Sequence, residues 1–358
     1  MGPTALRSGV VIPNAGPVAE VDESALLPAL RAGDEVAFQR LTDRYHRELL
    51  VHCYRMLGSY HDAEDVLQET LLRAWRGLES FQGRSALRPW LYRIATNACL
   101  DAIASRRRRA LPNGTHPAGE IGKPFPGPIM EPLWIEPLPD TLIDLRPAVN
   151  PEAHYDARES VALAFLATLQ TLPGRQRAAL ILRDVLGWRA SEVADLLGTS
   201  VAAVNSALRR ARVSMKGYEA DRKSSRAAPA GTEQTAALLS RYVDAWHAAD
   251  AAGLVALLRE DALITMPPLP LWYQGRAPIQ WFFETQLFAG ESPARFRLVA
   301  TRANGSPAFA TYQRGEAGEY RLGALQVLTI EDGQIAEIHD FLAIGNQQFP
   351  GFNLPPSL

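Results

Sequence analysis

The sequence predicts a multidomain protein in which two all-α domains are followed by an α+β domain. Its 358 residues suit two or three domains at roughly 100 to 200 residues each. Apolar residues recur every three or four positions over 24–107 and again over 155–222. Ten prolines separate these stretches, and after residue 295 short segments rich in Val, Ile, Phe and Tyr alternate with turn signals. With 47% apolar and 21% charged residues, the composition excludes wholesale disorder and a disulfide scaffold.

The first all-α domain is predicted to contain four helices. The first helix follows two capping candidates, Asp22 and Ser24. The second covers 34–57 and stops at Gly58, because glycine adopts the left-handed conformation that ends many helices. The third begins at Tyr60 or His61 and the fourth near Ala86. A loop therefore separates the last two helices.

A proline-rich linker is predicted at 112–151, because its ten prolines cannot continue a helix. An apolar strip around Trp134, residues 133–138, is too apolar for a purely solvated spacer. We expect this strip to dock on another part of the chain. The alternative is that it packs within its own domain.

The second all-α domain contains a predicted helix-turn-helix. Gly198, Thr199 and Ser200 separate a short helix, 190–197, from a longer one that starts at Val201. Small side chains open this second helix and cations follow, which is the order that suits base contacts and then phosphate contacts. The alternative is an ordinary basic surface helix. The candidate DNA-binding residues are Ser200, Val201, Ala202, Asn205, Ser206, Arg209, Arg210 and Arg212.

The third domain is predicted to be α+β. Two helices, 233–249 and 251–260, precede an antiparallel meander of four strands. The predicted strands are 295–303, 307–313, 319–330 and 334–342.

The last strand of this meander carries a candidate catalytic carboxylate. Side chains alternate along a strand, so Asp340 is expected to point into an apolar cavity and His339 away from it. A buried carboxylate there could act as a general base, or the cavity could hold a small ligand. Aromatic residues elsewhere in this domain could line the same cavity, although aromatic residues more commonly pack a core. No cofactor or metal motif accompanies Asp340. The possible pocket residues are Tyr242, Trp246, Tyr273 and Asp340.

Charge is distributed unevenly although the formal net charge is only −2. Residues 88–109 carry six arginines against one acid, 175–223 carry ten bases against five acids, and 233–345 carry eight arginines against thirteen acids. The acidic third domain is therefore expected to rest against the basic helical domains in the free protein.

The sequence has no membrane-spanning run and no signal peptide pattern, so we expect a cytoplasmic protein without a membrane partner. Cys53 and Cys99 lack metal or redox spacing and are expected to be buried thiols.

The loop after the third helix combines aromatic, small polar and guanidinium groups, which suits contacts to unpaired bases. The aromatic residues could equally belong to the core of a helical bundle. The candidate residues are Phe81, Gln82, Gly83, Arg84, Ser85, Arg88, Trp90, Arg93, Arg106 and Arg107.

The third helix itself has a dense polar face opposite its apolar stripe. It is either a protein-docking surface or simply solvated. Its residues are Asp62, Asp65, Gln68, Glu69, Arg73 and Arg76.

Several motifs together resemble one known family. The run YHDAEDVLQETLLRAW from Tyr60, followed by PWLYRIA from Pro89, resembles region 2 of the extracytoplasmic-function (ECF) sigma factors of bacterial RNA polymerase. The motif LPGRQR from Leu172, with SEVA from Ser191 and the helix-turn-helix, resembles their region 4. Residues 232–342 resemble the cone-shaped fold of SnoaL-like polyketide cyclases and ketosteroid isomerases.

This resemblance implies a role for each surface. The polar face of the third helix would bind the β′ clamp helices of core RNA polymerase, and region 4 would contact the β flap. The loop at 81–85 and the basic helix after it would capture and melt the minus-ten element of promoter DNA. The helix-turn-helix would read the minus-thirty-five element.

The resemblance thus favours a sigma factor that directs transcription initiation, is not itself an enzyme, and has a fused regulatory domain. The alternative is a DNA-binding protein whose SnoaL-like domain is an enzyme or ligand sensor. The expected divisions are a flexible N-terminus at 1–21, region 2 at 22–109, a linker at 110–154, region 4 at 155–223, the SnoaL-like domain at 232–345 and a tail at 346–358.

Overall fold

The computed structural model describes residues 28–30, 32–78, 81, 86–131, 133–143, 158–224, 232–290, 294–345 and 349–358. The predicted N-terminal segment 1–21 lies outside the described residues, as does most of the first predicted helix. The described helices are α1 Glu35–Leu57, α2 Tyr60–Gly77, α3 Leu87–Ser105, α4 Leu163–Gln170, α5 Gly174–Leu180, α6 Ala190–Leu197, α7 Val201–Ser224, α8 Thr232–Ala248, α9 Ala251–Ala256 and α10 Arg276–Phe282. The strands are β1 Leu258–Thr265, β2 Trp272–Gln274, β3 Phe296–Ala303, β4 Ser306–Arg314, β5 Tyr320–Glu331 and β6 Gln334–Leu342. Within this part of the chain, no helix combines the length and apolar character needed to cross a membrane.

Helices α1, α2 and α3 pack together, and α1 ends at its predicted stop signal. The Asp34 carboxylate accepts hydrogen bonds from the backbone N–H groups of Val36 and Ala37, and Gly58 ends α1 at φ 72°. The thiols Cys53 and Cys99 are both free and fully buried between these helices, as predicted.

The predicted helix-turn-helix is also confirmed. Helix α6 ends at Gly198, which has a left-handed φ of 60°, and α7 begins at Val201. Val204, Leu208 and Ala211 are the buried stripe of α7, so the opposite side of the helix faces solvent.

The third domain contains the predicted meander within a larger sheet. The strand order is β2-β1-β6-β5-β4-β3, and the last four strands pair antiparallel in sequence order. The predicted helix 251–260 was too long, because α9 ends at Ala256 and strand β1 follows it directly. Strand β1 pairs in parallel with β6. This long-range pairing overrides the local helical pattern.

The two faces of this sheet belong to two different cores. Ile338 packs inside the domain with α8 and α10 residues, whereas Phe341, on the opposite face of the same strand, joins a core shared with both helical domains. His339 lies on the Phe341 side, as expected, yet it is only 1% exposed because that face is covered. Its imidazole contacts the Thr265 hydroxyl at 2.9 Å.

Candidate functional site

The exposed face of α7 carries most of the predicted DNA-reading residues. Val201, Ala202 and Asn205 face solvent in its first turns, and the Ser200 hydroxyl caps the helix by accepting from the Ala203 N–H at 3.2 Å. Ser206 is half-buried, and its hydroxyl accepts a hydrogen bond from Arg210 at 2.8 Å. Short polar side chains therefore precede cations along one solvent-facing surface.

An open groove of about 560 Å³ runs beside these residues. Asn205, Arg209 and Lys216 line it together with Arg183, which the sequence analysis missed. Arg183 lies in the π-helical segment Ile181–Val185 that follows α5, where no sequence motif indicated a functional residue. Arg212 forms a bidentate ion pair with Asp184, at 2.7 and 2.9 Å, and this pair joins α7 to the π-helical segment that follows α5.

The predicted minus-ten residues divide into buried and exposed groups. Phe81 is buried and stacks on half-buried Trp90, with 4.9 Å between ring centroids. Arg88 is paired with Glu48 at 3.0 Å, while Arg93 is exposed. The predicted loop residues Gln82, Gly83, Arg84 and Ser85 lie outside the described residues.

The polar face of α2 is partly open and partly occupied. Asp65, Gln68 and Arg76 are exposed, and Arg73 bridges Glu69 at 2.8 Å and Asp101 at 3.3 Å. Asp62 differs from these residues because its carboxylate accepts hydrogen bonds from buried Arg109, the shorter one at 2.6 Å. Arg106 binds the other oxygen of Asp62, while Arg107 pairs with Glu131 at 2.9 Å.

The apolar strip of the linker docks at this same place. Ile135 and Leu138 are buried in the shared core, so the strip does contact another domain, and Trp134 is buried next to them. Arg109 holds the strip by donating to the Trp134 carbonyl at 2.8 Å and to the Glu136 carboxylate at 3.3 Å.

Glu136 connects the strip to the start of α2. Its backbone N–H donates to the Gly58 carbonyl at 3.0 Å, and its carboxylate contacts His61 Nδ1 at 2.8 Å. Burial alone would raise the pKa of Glu136, but the His61 hydrogen bond and the Arg109 charge lower it below its ordinary value. The same hydrogen bond raises the pKa of His61. The two shifts have one cause, because the charged imidazolium and the charged carboxylate each stabilise the other.

One side chain of the third domain contacts three other parts of the chain. Asn304, in the β3–β4 turn, is 1% exposed at φ 54°. Its amide nitrogen donates to the Tyr54 hydroxyl at 2.8 Å and to the Val161 carbonyl at 2.7 Å. Its amide oxygen accepts from the Leu138 N–H at 2.9 Å. The sequence marked Asn304 only as a turn residue, because a local pattern does not reveal what a turn contacts.

The interior of the third domain holds the predicted pocket residues in one aromatic cluster. The Tyr242 hydroxyl donates to Gln326 at 2.9 Å, and Trp246 packs edge-to-face on Phe288 with 5.5 Å between ring centroids. Tyr273 joins the cluster through Phe282 at 5.8 Å.

Asp340 lies in this interior with one carboxylate oxygen that lacks a hydrogen-bond partner among the described residues. Burial raises its pKa to about 7, against a small lowering by Gln326. A carboxyl with this pKa exchanges its proton near neutral pH, which is the property of a general base or of a ligand-binding group.

Comparison with known families divides the chain into three matched segments. Residues 41–109 match Sigma-70 region 2, residues 162–215 match Sigma-70 region 4, and residues 239–338 match the SnoaL-like domain.

Individual relatives match over most of the chain. The ECF RNA polymerase sigma factor SigG of Mycobacterium tuberculosis is 46% identical over 338 residues, covering 92% of this chain and 86% of that protein. SigM of the same species is 34% identical over 193 residues, covering 54% of this chain and 82% of that protein. Among solved structures, the M. tuberculosis ECF sigma factor SigJ superposes with a TM-score of 0.53 at 22% identity, covering 84% of this chain and 94% of SigJ, and this likeness concerns the fold.

Proposed function

The chain belongs to the ECF RNA polymerase sigma factors, and from that membership we propose how its surfaces divide the work of promoter recognition. In this proposal α7 reads the minus-thirty-five element. The observation that carries it is the solvent-facing series from Asn205 to Arg209 and Lys216 beside an open groove. Asn205 and Ser206 contact base edges, and the arginines that follow hold phosphates.

Region 2 binds core polymerase and also contacts promoter DNA. The exposed residues of α2 bind the β′ clamp helices of core polymerase, and residues 81–85 with α3 capture the minus-ten element. Region 4 also contacts the β flap. We place region 2 at 22–109, region 4 at 155–223 and the SnoaL-like domain at 232–345. The protein works in the cytoplasm, where the polymerase is, and it is not itself an enzyme.

The third domain regulates these surfaces by holding a closed arrangement, in which it and the linker contact both helical domains. Asn304 supports this role, because its hydrogen bonds reach α1, the linker and the segment before α4. Asp62 also supports it, because linker-bound Arg109 occupies a carboxylate that polymerase would otherwise contact. Polymerase binding then has to shift the population away from this arrangement.

A transcription assay with purified core polymerase tests the assignment. Promoter-dependent initiation should require the added protein, and Arg209→Ala should weaken promoter binding and lower its salt slope by about one ion. Asn205→Ala should instead change preference at the upstream element. If both variants changed only the overall affinity, the base-reading assignment would be wrong.

Truncation tests the regulatory part. A chain that ends at Gly231 should differ from the full chain in transcription activity, and small-angle scattering should show it expanded relative to its new length. The closed arrangement would be rejected if the two chains had identical activity and if small-angle scattering showed the domains of the full chain moving independently of one another.

A second candidate function rests on Asp340. Its unpartnered oxygen and its pKa of about 7 favour an interior that binds a small polar ligand or acts on one. Turnover or ligand binding that persists without polymerase and disappears in Asp340→Asn would support this candidate.

A further inference from the structure

A basic cavity lies where the two helical domains meet. Its volume is about 290 Å³, and both region 2 and region 4 contribute to its walls. The chain directly after α3 supplies residues 106–109, and α5 supplies Arg177. Five arginines line the cavity, and Asp62 is the one acid among the described residues that do so.

Three of the five arginines are neutralised. Arg106 and Arg109 bind Asp62, Arg109 also binds Glu136, and Arg107 binds Glu131. Within the described part of the chain, Arg108 has neither an ion pair nor a side-chain hydrogen bond, and it is exposed at the cavity.

Arg177 is the second cation without a carboxylate partner in the described structure. It is only 4% exposed, and its terminal nitrogens donate to neutral acceptors: the carbonyls of Met56, Gln170 and Leu172 and the Gln170 side chain. Its Nε has no hydrogen-bond partner among the described residues. Burial and then the nearby Arg108 charge lower the pKa of Arg177 to about 10. A buried cation ordinarily has an anionic partner, because an uncompensated buried charge is costly.

We propose that this cavity is a binding site for a free phosphate-type anion, which would bridge region 2 and region 4 in the closed arrangement. A phosphate monoester carries a charge of about −1.5 to −2 near neutral pH, which matches the two unpaired guanidinium groups. Arg108 can present its N–H groups to phosphate oxygens as a planar fork. The terminal nitrogens of Arg177 already donate within the protein, so Arg177 contributes its positive charge at the cavity wall. Anion binding would favour the closed arrangement by occupying both walls at once. That consequence rests on the proposed function, whereas the binding itself does not.

Calorimetric titration of the free full-length chain tests the site. Inorganic phosphate and pyrophosphate are titrated at constant ionic strength, with chloride as the reference anion. Arg108→Ala should weaken phosphate binding by roughly ten-fold or more, the loss expected for one hydrogen bond to a charged group. Arg40→Ala is the matched control, because Arg40 is an exposed arginine on α1 outside the cavity. Its affinity for phosphate should equal that of the wild type.

Either of two results would overturn the proposal: the absence of saturable phosphate binding, or equal phosphate affinities in the wild type and Arg108→Ala. If free phosphate does not bind while Arg108→Ala weakens binding of a non-promoter DNA duplex, the cavity receives a backbone phosphate instead. No polymerase is present, so failure here leaves the transcription assignment standing.

Discussion

The third domain buries one polar side chain on its outer face, where it contacts the helical domains and the linker, and another in its interior. The two side chains differ in how fully they are hydrogen-bonded. Asn304 uses both its amide oxygen and its amide nitrogen in hydrogen bonds to other parts of the chain. Asp340 retains a carboxylate oxygen without a partner among the described residues. A satisfied buried group makes a contact specific, whereas an unsatisfied one destabilises the fold unless a ligand or a proton compensates it. Asn304 therefore contributes a specific contact to the other domains, whereas Asp340 leaves a polar atom in the interior that the fold does not satisfy.

The largest expected effect is a gain of stability at Asp340. Asp340→Asn removes a carboxyl whose pKa rises from 3.8 to about 7 on folding. A raised carboxyl pKa means that stability falls as pH rises between those two values, because the folded state then binds more protons than the unfolded state. Above about pH 8 the variant should be more stable by up to roughly 4 kcal/mol, measured by urea unfolding.

The control for this variant is the same measurement near pH 4, where the carboxyl is mostly protonated in the folded state and the difference should shrink. Promoter-dependent transcription should remain near the wild-type level, because the interior does not touch polymerase or DNA in this proposal. A constant stability difference across the whole pH range would contradict the buried, titrating carboxyl.

The next effect is a loss of stability at the outer face. Asn304→Ala removes three buried hydrogen bonds and should destabilise the closed arrangement by about 3 kcal/mol. Asn353→Ala is a matched control, because Asn353 has a similar φ of 52° but is exposed. Both variants carry the same backbone strain, so their difference in melting temperature and in scattering dimensions isolates the hydrogen bonds. Equal behaviour of the two variants would show that Asn304 does not hold the domains together.

The sequence predicted some of these features better than others. The ends of α1 at Asp34 and Gly58 were predictable, because caps are local signals. Strand β1 was not, because its pairing with β6 joins residues far apart in sequence. The strip at Trp134 was expected to dock on another part of the chain. Its hydrogen bond from Arg109 was not predicted, because a run of arginines in a sequence suggests a phosphate-binding segment. Likewise Asp62 was assigned to polymerase, and only the fold reveals its intramolecular partner.

A smaller effect is expected on the part of α2 that the linker and the third domain leave exposed to solvent. Reversing the charge of exposed Asp65 and half-exposed Glu69 should weaken core polymerase binding by roughly ten-fold, because these residues face solvent beside occupied Asp62. Pull-down affinity measures the loss, and circular dichroism should show an unchanged helix content. Unchanged affinity with normal circular dichroism would exclude this face as the docking surface.

The smallest effect is a pH dependence of the linker contact. The pKa of His61 is raised from 6.5 by Glu136, so its contribution to the contact is full below that value and is lost as pH rises through the folded-state pKa. The pKa of Glu136 is lowered from 4.5, so its contribution is present above that value and is lost only in stronger acid. The contact should therefore be strongest between these two values and should loosen as pH rises above 6.5 through the raised pKa of His61.

His61→Gln tests this window, because glutamine can still donate a hydrogen bond to Glu136 but cannot titrate. Scattering dimensions of the wild-type chain should increase slightly as pH rises through this range, while those of the variant should stay constant. The change is small because the His61 side chain is 61% exposed and solvent screens its charge. If the variant retained the full pH response, another group would have to control the docking of the linker, and the closed arrangement would depend mainly on the hydrogen bonds of Asn304.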